Sequence, residues 1–467
     1  METQNKEKSG LNINVRSFII ALAVIFGLMV ASYVLTFAIP GGQYERIETA
    51  EGNLVVNPDH YETVEGGLPF WKWLLSPILV LTADGSAMLI AVIAFLLVIG
   101  GAFNALGECG LMRYLLDSVT AKFGRSRYRL MAALVLLFMA MGSLIGSFEE
   151  CVPLVPIVVA LAIALGWDAV TGLGMSLLAA GCGFAAGVCN PFTVGVAQKQ
   201  VGLPMFSGAW LRAIAFALIY ILLFTFLRYH AKKVERPADQ LAVTFTPDKR
   251  MSAGLITFVS ILGGGIAVVF SSAFIPALQD YTMIIVAVMF LVAGITSCLV
   301  SGMKTGALAR SFGGGVLSIL PAVLMILMAS SIKFILEEAS ILDTILHAAI
   351  GTAQDLPKWV VILFIYLLVL VMNFFVASGS AKAFMIIPLI KPLAEVLGIS
   401  LQLCVMAYAF GDGFSNVFYP TNAALLIALN LAGIGYGDWV KWSFKFQLAN
   451  LILTSGILLL GLAVGYC

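Results

Sequence analysis

The chain has 467 residues, of which 61% are apolar and 11% are charged, whereas a soluble domain has about 45–50% apolar and about 25% charged residues. This composition excludes an ordinary soluble fold and favours many membrane spans in one body. The 26 basic and 25 acidic residues are mixed along the chain and give a net charge of +1, so no basic surface for nucleic acid is expected.

The apolar runs predict an all-α polytopic membrane protein. The first run follows a short polar head that carries Lys6, Lys8 and Arg16. It is longer than the apolar core of a signal peptide, so it is expected to be a retained span. Each run is long enough to cross about 30 Å of hydrocarbon. The nine predicted crossings are residues 18–39, 85–106, 168–198, 207–229, 253–275, 280–301, 312–337, 400–430 and 443–465.

Two further apolar stretches, residues 130–165 and 359–397, are interrupted in the middle by small and polar residues. Each stretch predicts a helix, a short tip and a returning helix. Basic loops are usually cytoplasmic, and the basic runs at 122–129 and 228–250 share one side only if the first stretch enters and leaves the membrane on the same side. The first stretch is therefore predicted to be a re-entrant hairpin, and the second is treated in the same way.

This topology places the N-terminus in the cytoplasm and the C-terminus outside, in the cell inner membrane. Of the 26 basic residues, 18 are then cytoplasmic, which agrees with the usual asymmetry. The other eight lie outside (Arg46, Lys72, Lys199, Lys358) or within membrane segments (Arg212, Lys333, Lys382, Lys391).

Short matches recur at an offset of about 230 residues and predict an internal repeat. Glycine and serine at 146–147 match 379–380, Pro156 matches Pro388, and Asn190 matches Asn422. Five crossings separate the two copies, so the copies are expected to be inverted, as in many secondary transporters. The predicted organisation is an N-terminal span (1–40), an extracytoplasmic loop (41–84), a first repeat (85–229), a linker with scaffold spans (230–311) and a second repeat (312–467).

The span after each hairpin is also interrupted, at residues 187–193 and 411–422. Proline removes a backbone donor and glycine tolerates unwound geometry, so broken helices are expected. Backbone groups freed inside the membrane must be satisfied or must line a polar cavity. The two tips and the two breaks are therefore predicted to meet near the midplane and to form the binding site.

These motifs resemble the anaerobic C4-dicarboxylate carrier-like family, in particular its YfcC-type branch. In the first half the resemblance rests on Gly146–Glu150 (GSFEE), Leu165–Asp168 (LGWD), Gly183–Phe184 and Asn190–Phe192 (NPF). In the second half it rests on Ser378–Lys382 (SGSAK), Phe410–Asn416 (FGDGFSN) and Pro420–Thr421. The resemblance implies membership of the ion-transporter superfamily, an elevator-type transport unit, cation-coupled carriage of small carboxylate-bearing solutes, and a homodimer.

Adjacent carboxylates, Glu149 and Glu150, stand at the first tip, and Lys382 occupies the matching tip of the second copy. Ionisable groups at membrane depth are costly and usually face a cavity. The acidic pair is a candidate for binding sodium, a proton or a substrate ammonium group, and Lys382 is a candidate for binding a substrate carboxylate. The structural alternative is solvation near water, or an internal ion pair with Arg212 or Lys382.

The remaining candidates carry oxygen atoms at the breaks and tips. Hard cations prefer oxygen ligands, so sodium fits them better than a transition metal does. The candidates are Asn190, Thr193, Asp412, Asn416, Thr421 and Asn422 at the breaks, and Ser147, Ser378 and Ser380 at the tips. The candidate sodium ligands among them are Asn190, Asp412 and Asn416. The alternative is that these side chains only satisfy backbone groups at turns and breaks.

Together these features predict a secondary active transporter, not an enzyme, driven by sodium or protons or by exchange and needing no cofactor. The sequence has no G-x-x-x-x-G-K-[ST] phosphate loop, so ATP hydrolysis is not expected. The acidic pair favours an amino acid, including the basic arginine or ornithine type, over a C4-dicarboxylate. An ion channel is a further alternative. An intramembrane aspartyl protease is disfavoured, because its G-x-G-D motif requires glycine where Ala409 stands.

Overall fold

A computed structural model of the chain describes residues 15–48, 54–83, 86–236, 246–272, 275, 281–353 and 356–467. The polar head with Lys6 and Lys8 lies outside these residues, as does part of the second basic run at 228–250. The described chain is mostly helical, as the sequence predicts.

The first half runs through ten helices. They are α1 (Val15–Ala38), α2 (Phe70–Leu79), α3 (Ser86–Glu108), α4 (Leu111–Phe123), α5 (Arg127–Ala140), α6 (Val155–Ala164), α7 (Ala169–Leu173), α8 (Ala179–Ala186), α9 (Val196–Val201) and α10 (Ala209–Val234). The second half contains α11 (Lys249–Ser272), α12 (Thr282–Val300), α13 (Thr305–Glu338), α14 (Leu342–Ala353), α15 (Lys358–Phe375), α16 (Gly379–Leu397), α17 (Leu401–Ser415), α18 (Ala423–Ala432) and α19 (Tyr436–Ala463).

The helix, tip and helix pattern is present in both predicted hairpins, as α5–α6 and as α15–α16. Both predicted breaks are present too, between α8 and α9 and between α17 and α18, although the second begins later than the predicted residue 411 because α17 continues to Ser415. The first hairpin and the first broken helix also contain π-helical turns, at 141–145, 174–178 and 191–195. Such turns occur mostly where a helix is locally distorted at a functional site.

The element order of one half recurs in the other. A long helix, a short helix, a hairpin, a broken helix and a closing helix follow one another from α3 to α10 and again from α13 to α19. The two broken helices pack on each other, α8 against α17, and each contacts its own hairpin, α5 with α8 and α15 with α17. A second group of contacts joins α3, α11, α12 and α13. The hairpins and breaks therefore form one packed unit beside a layer of long helices.

Eight helical segments in the described part of the chain are long and apolar enough to cross a membrane. These include the first leg of each hairpin, residues 127–145 and 358–375, together with the long helices α10, α13 and α19. Helices α10 and α19 also expose large apolar side chains, such as Ile221 at 58% and Ile452 at 67%. A polytopic membrane protein explains this surface, because lipid rather than water covers it.

The segment predicted to be an extracytoplasmic loop, residues 41–84, contains helix α2 and an antiparallel β-hairpin, the sole sheet among the described residues. Strands β1 (Gly41–Glu48) and β2 (Leu54–Val64) pair with Tyr44 opposite Tyr61, and the register shifts after Tyr44. Strand β2 contacts α16, and β1 contacts α14. The all-α prediction misses this sheet because the sheet depends on contacts with distant segments of the chain. A two-stranded hairpin is only marginally stable alone and needs packing against a helix.

The β-hairpin is fastened to α14 by Asp343. Its carboxylate accepts hydrogen bonds from Arg46 Nη2 at 2.9 and 3.0 Å and from the Tyr44 backbone N–H at 2.9 Å. Burial, followed by the Asp343 charge, raises the pKa of Tyr44 to about 12. The Tyr44 phenol therefore stays protonated, and its hydroxyl is hydrogen-bonded to His347 Nδ1 at 2.9 Å.

We expect Asp343→Ala to detach this β-hairpin. The substitution leaves the Tyr44 N–H and the Arg46 guanidinium without their acceptor, at a cost of about 1–3 kcal/mol. The midpoint of thermal unfolding should fall, and limited proteolysis should cut sooner between residues 41 and 64. Asp59→Ala, at an exposed position on β2, is the matched control. Equal protease resistance in the two variants would contradict the fastening role.

Candidate functional site

The first hairpin tip binds the unwound backbone of the first break. Ser143 Oγ accepts a hydrogen bond from the Val188 N–H at 3.0 Å, and its carbonyl accepts one from the Cys189 N–H at 3.1 Å. Gly146, in the left-handed region with φ +77°, lies so close that a methyl group on it would be 2.4 Å from Asn190 Oδ1. Because these donors would be costly to leave unpaired inside a membrane, the tip stabilises the break.

Asparagine restarts the helix after each break. Asn190 is fully buried, and its Oδ1 accepts hydrogen bonds from the N–H groups of Phe192 at 3.0 Å and Thr193 at 3.4 Å. Asn422 Oδ1 accepts in the same way from the Leu425 N–H at 3.2 Å. Both side chains therefore act as N-caps. The matched positions predicted from the repeat have the same structural role in the two halves.

A buried ion pair lies at the centre of the second half. Lys382 Nζ is 2.5 Å from Asp412 Oδ1, and both side chains are 0% exposed. The ammonium group also donates to Asn373 Oδ1 and, at 2.9 Å, to the Val376 carbonyl. Three oxygen atoms therefore surround Nζ, and one carboxylate offsets its charge. The structural alternative predicted from the sequence pairs the glutamates with Lys382 or Arg212, whereas the carboxylate at ion-pair distance from Lys382 is that of Asp412.

Asn373 links this ion pair to the second break. Its Nδ2 lies 2.9 Å from the Asp412 carbonyl, 2.6 Å from Ser415 Oγ and 2.9 Å from Asn416 Oδ1. Asn422 Nδ2 donates to the same Asn416 oxygen at 3.1 Å. A buried polar network of this kind is rigid when its members are satisfied. The end of α15 and the break after α17 are thus held together.

The second tip reaches both breaks. A methyl group on Gly379 would lie 2.7 Å from Asp412 Oδ2 and 2.9 Å from Thr193 Cγ2. The Tyr408 hydroxyl donates to the Gly379 carbonyl and holds the tip there. Thr193 Oγ1 and Asp412 Oδ2 are buried and have no hydrogen-bond partner among the described residues. Two oxygens beside this tip are therefore available to a ligand.

The acidic pair lies within electrostatic range of the second break. Glu149 is half-buried and Glu150 is 9% exposed. The charges of Glu150 and Asp412 both act on the Glu149 carboxyl. Glu149 therefore interacts with two further carboxylates, one of which, Asp412, is paired with Lys382. These four groups carry an excess of negative charge when all of them are ionised.

Four of the predicted hydroxyl residues have other surroundings or roles in the described part of the chain. Ser147 is 1% exposed, Ser378 is exposed and caps α16 through the Ala381 N–H at 3.4 Å, and Ser380 and Thr421 are half-buried. Among the hydrogen bonds of the described residues, none joins these hydroxyls to the Lys382–Asp412 pair. Turn and capping chemistry accounts for Ser378.

Arg212 was considered only as a partner for the glutamates, and the structure gives it another role. Its guanidinium is fully buried and donates to the Val188 carbonyl at 3.1 and 3.3 Å and to the Phe206 carbonyl at 3.2 Å. It also donates to the Tyr466 hydroxyl at 3.2 Å. A cation is favourable at the carbonyl end of a helix, so Arg212 stabilises the chain where α8 ends.

Asn373, Ser143 and Tyr408 also belong to the site, although they are not among the residues predicted from the sequence. Asn373 and Ser143 are polar residues inside otherwise apolar hairpin legs, and that is the signal by which they could have been found. Tyr408 carries no such signal, because an aromatic residue within an apolar helix is ordinary.

Comparison with known proteins places the chain in a family. The family profile described as "C4-dicarboxylate anaerobic carrier" (DcuC) matches residues 18–463. A protein of Escherichia coli strain K12 described as "Putative basic amino acid antiporter YfcC" is 30% identical over 400 residues, which cover 80% of this chain and 77% of that protein. An uncharacterised protein of Haemophilus influenzae is 25% identical over 400 residues, covering 81% and 76%.

Two solved structures align with most of the chain. The YdaH transporter of Alcanivorax borkumensis has 19% identity and a TM-score of 0.43, with 96% of this chain and 99% of that chain covered. MtrF of Neisseria gonorrhoeae, described in a study of antimetabolite efflux pumps, has 16% identity and a TM-score of 0.44, with 95% and 94% covered. The profile match over nearly the whole sequence is what decides the family: this chain is a multi-pass membrane transporter of the DcuC C4-dicarboxylate carrier family.

Proposed function

We propose that this chain is a secondary active transporter that exchanges amino acids. Its main substrates are basic amino acids of the arginine or ornithine type. The observation that carries the proposal is the convergence of two hairpin tips and two helix breaks on one buried polar cluster. Gly146 lies against Asn190, and Gly379 lies against both Thr193 and Asp412. In transporters, discontinuous helices of this kind form the substrate site near the midplane.

The charges favour a substrate with an additional positive group. Glu149 interacts electrostatically with Glu150 and Asp412, and Lys382 is already paired with Asp412. A dicarboxylate would bring two further negative charges to this cluster, whereas a basic amino acid would bring a net positive one. The relative described as a basic amino acid antiporter supports the same substrate class. The family description supports the alternative, a C4-dicarboxylate.

The movement we propose is elevator-like. The two hairpins and the two broken helices would move together past the layer formed by α3, α11, α12 and α13. Contacts within the site hold the hairpins and the broken helices to one another. We further propose a homodimer in the cell inner membrane with the N-terminus in the cytoplasm. Coupling to sodium or protons and simple exchange are both compatible with the family.

Exchange in proteoliposomes tests the substrate class. Vesicles loaded with unlabelled arginine should accumulate external radiolabelled arginine or ornithine, and empty vesicles should accumulate much less. Succinate and fumarate, offered in the same way, should be taken up poorly. Exchange of succinate in preference to arginine would establish the C4-dicarboxylate alternative. Equal labelled uptake with and without internal substrate would rule out obligatory exchange, and it would indicate a channel if no imposed sodium or proton gradient made the uptake concentrative.

We expect Glu149→Gln to weaken arginine exchange. A charge-assisted hydrogen bond is worth about 1.5–3 kcal/mol, so its loss should raise the KM for arginine about 10-fold or more. The matched control is Glu395→Gln, because Glu395 is an exposed glutamate on α16 of the second hairpin. An unchanged KM in a normally folded Glu149→Gln variant would show that the acidic pair does not bind the substrate.

A further inference from the structure

The buried ammonium group of Lys382 has the surroundings of a bound monovalent cation. Its ligands are the Asp412 carboxylate at 2.5 Å, the Val376 carbonyl at 2.9 Å and the Asn373 side-chain oxygen. One carboxylate, one backbone carbonyl at an unwound tip and one amide oxygen are also the ligands that a sodium ion takes in proteins, because hard cations prefer oxygen.

We infer that Lys382 is the resident cation of the second half and that its ammonium group takes the place of a sodium ion between the second tip and the second break. The inference rests on the proposed function and deepens it. With this position filled by a tethered charge, the Asp412 charge that would hold a sodium ion is already neutralised, and the chain acts as an exchanger rather than as a sodium symporter that uses this site.

The first break, residues 187–193, contains no carboxylate equivalent to Asp412, and the acidic pair of the first half, Glu149 and Glu150, lies at the tip instead. At the first break, Asn190 Oδ1 already accepts two backbone hydrogen bonds, and Thr193 is the neighbouring oxygen-bearing residue. A site made of neutral oxygens alone binds a cation less strongly than one that contains a carboxylate. The asymmetry between the halves therefore lies in Asp412 and in the lysine that neutralises it.

Removal of the lysine should create a sodium site. In Lys382→Ala, Asp412 is left buried with vacated space beside it, and a sodium ion fits the same three oxygens. The thermal midpoint of the purified variant should rise saturably with sodium chloride but not with N-methyl-D-glucamine chloride at equal ionic strength. The wild-type protein should show no such difference. Lys391→Ala, at a half-buried lysine on the same helix, is the control and should behave as the wild type does.

Lys382→Gln is a second variant for the case that Lys382→Ala does not fold, because the glutamine amide fills more of the space that the lysine vacates. If either variant can be purified only in sodium buffer, the inference is supported. Equally poor recovery in both cations, or the same sodium response in wild type and Lys382→Ala, would overturn it. These measurements involve no transport, so their failure leaves the exchange experiment intact, and a failure of arginine exchange leaves these measurements interpretable.

Discussion

Asp412→Leu should destabilise the protein strongly. The change leaves the fully buried ammonium of Lys382 without its carboxylate, and removal of one partner from a buried ion pair costs about 3–5 kcal/mol. The same cost is expected for Lys382→Met, because the buried Asp412 carboxylate then loses its ammonium partner. The midpoint of thermal unfolding, measured in sodium-free buffer so that no cation replaces the lysine, should fall in both variants.

The double variant Lys382→Met/Asp412→Leu should be more stable than either single variant. Apolar side chains of similar volume replace a buried ion pair at little cost, because the desolvation penalty of both charges disappears. Coupling between contacting residues makes the two effects non-additive. Lys333→Met is the matched control, since it removes a partly exposed lysine paired with Glu337 at 3.1 Å, and such pairs are worth about 0–1 kcal/mol. Additive losses in the double variant would contradict the pairing.

The interrupted helices could be predicted because their signals are local. The glycines, prolines and asparagines of residues 187–193 and 411–422 interrupt apolar runs, and each of these residue types disfavours a continuous helix for a reason within the residue itself. The caps follow from the same chemistry, as Asn190 and Asn422 show. The repeat in element order is also visible in the sequence, because its matches keep their spacing through the hairpins.

The contacts between these segments could not be predicted, because they join residues far apart in the chain. Lys382 and Asp412 were both candidates, yet nothing in their spacing indicates that they face each other. The role of Asn373 depends on three acceptors from the end of α17. The β-hairpin depends on Asp343, which is almost 300 residues away from Tyr44 along the chain. Tertiary packing, rather than local preference, decides all three.

A second large loss of stability is expected where the two broken helices, α8 and α17, contact each other. Gly413 of α17 lies against α8, and a methyl group on it would be 2.3 Å from Ala185 Cα and 2.5 Å from Ala185 N. These are backbone atoms, so no side-chain rotation relieves the contact. We expect Gly413→Ala to force α8 and α17 apart, at the cost of about 1–3 kcal/mol or more that overpacking carries. Arginine exchange should be lost as well, because Asp412 and Asn190 lie on the separated segments.

Substitution of a glycine in open surroundings should instead stabilise the protein. Gly456, in the middle of α19, has nothing within 4 Å of the position of an added methyl group, so Gly456→Ala should raise the thermal midpoint through a gain of up to about 1 kcal/mol in helix propensity. Adding Ala185→Gly to Gly413→Ala should recover little, since the Ala185 Cα and N atoms remain in place. A wild-type midpoint in Gly413→Ala, or full recovery in the double variant, would show that the helices do not cross at this backbone contact.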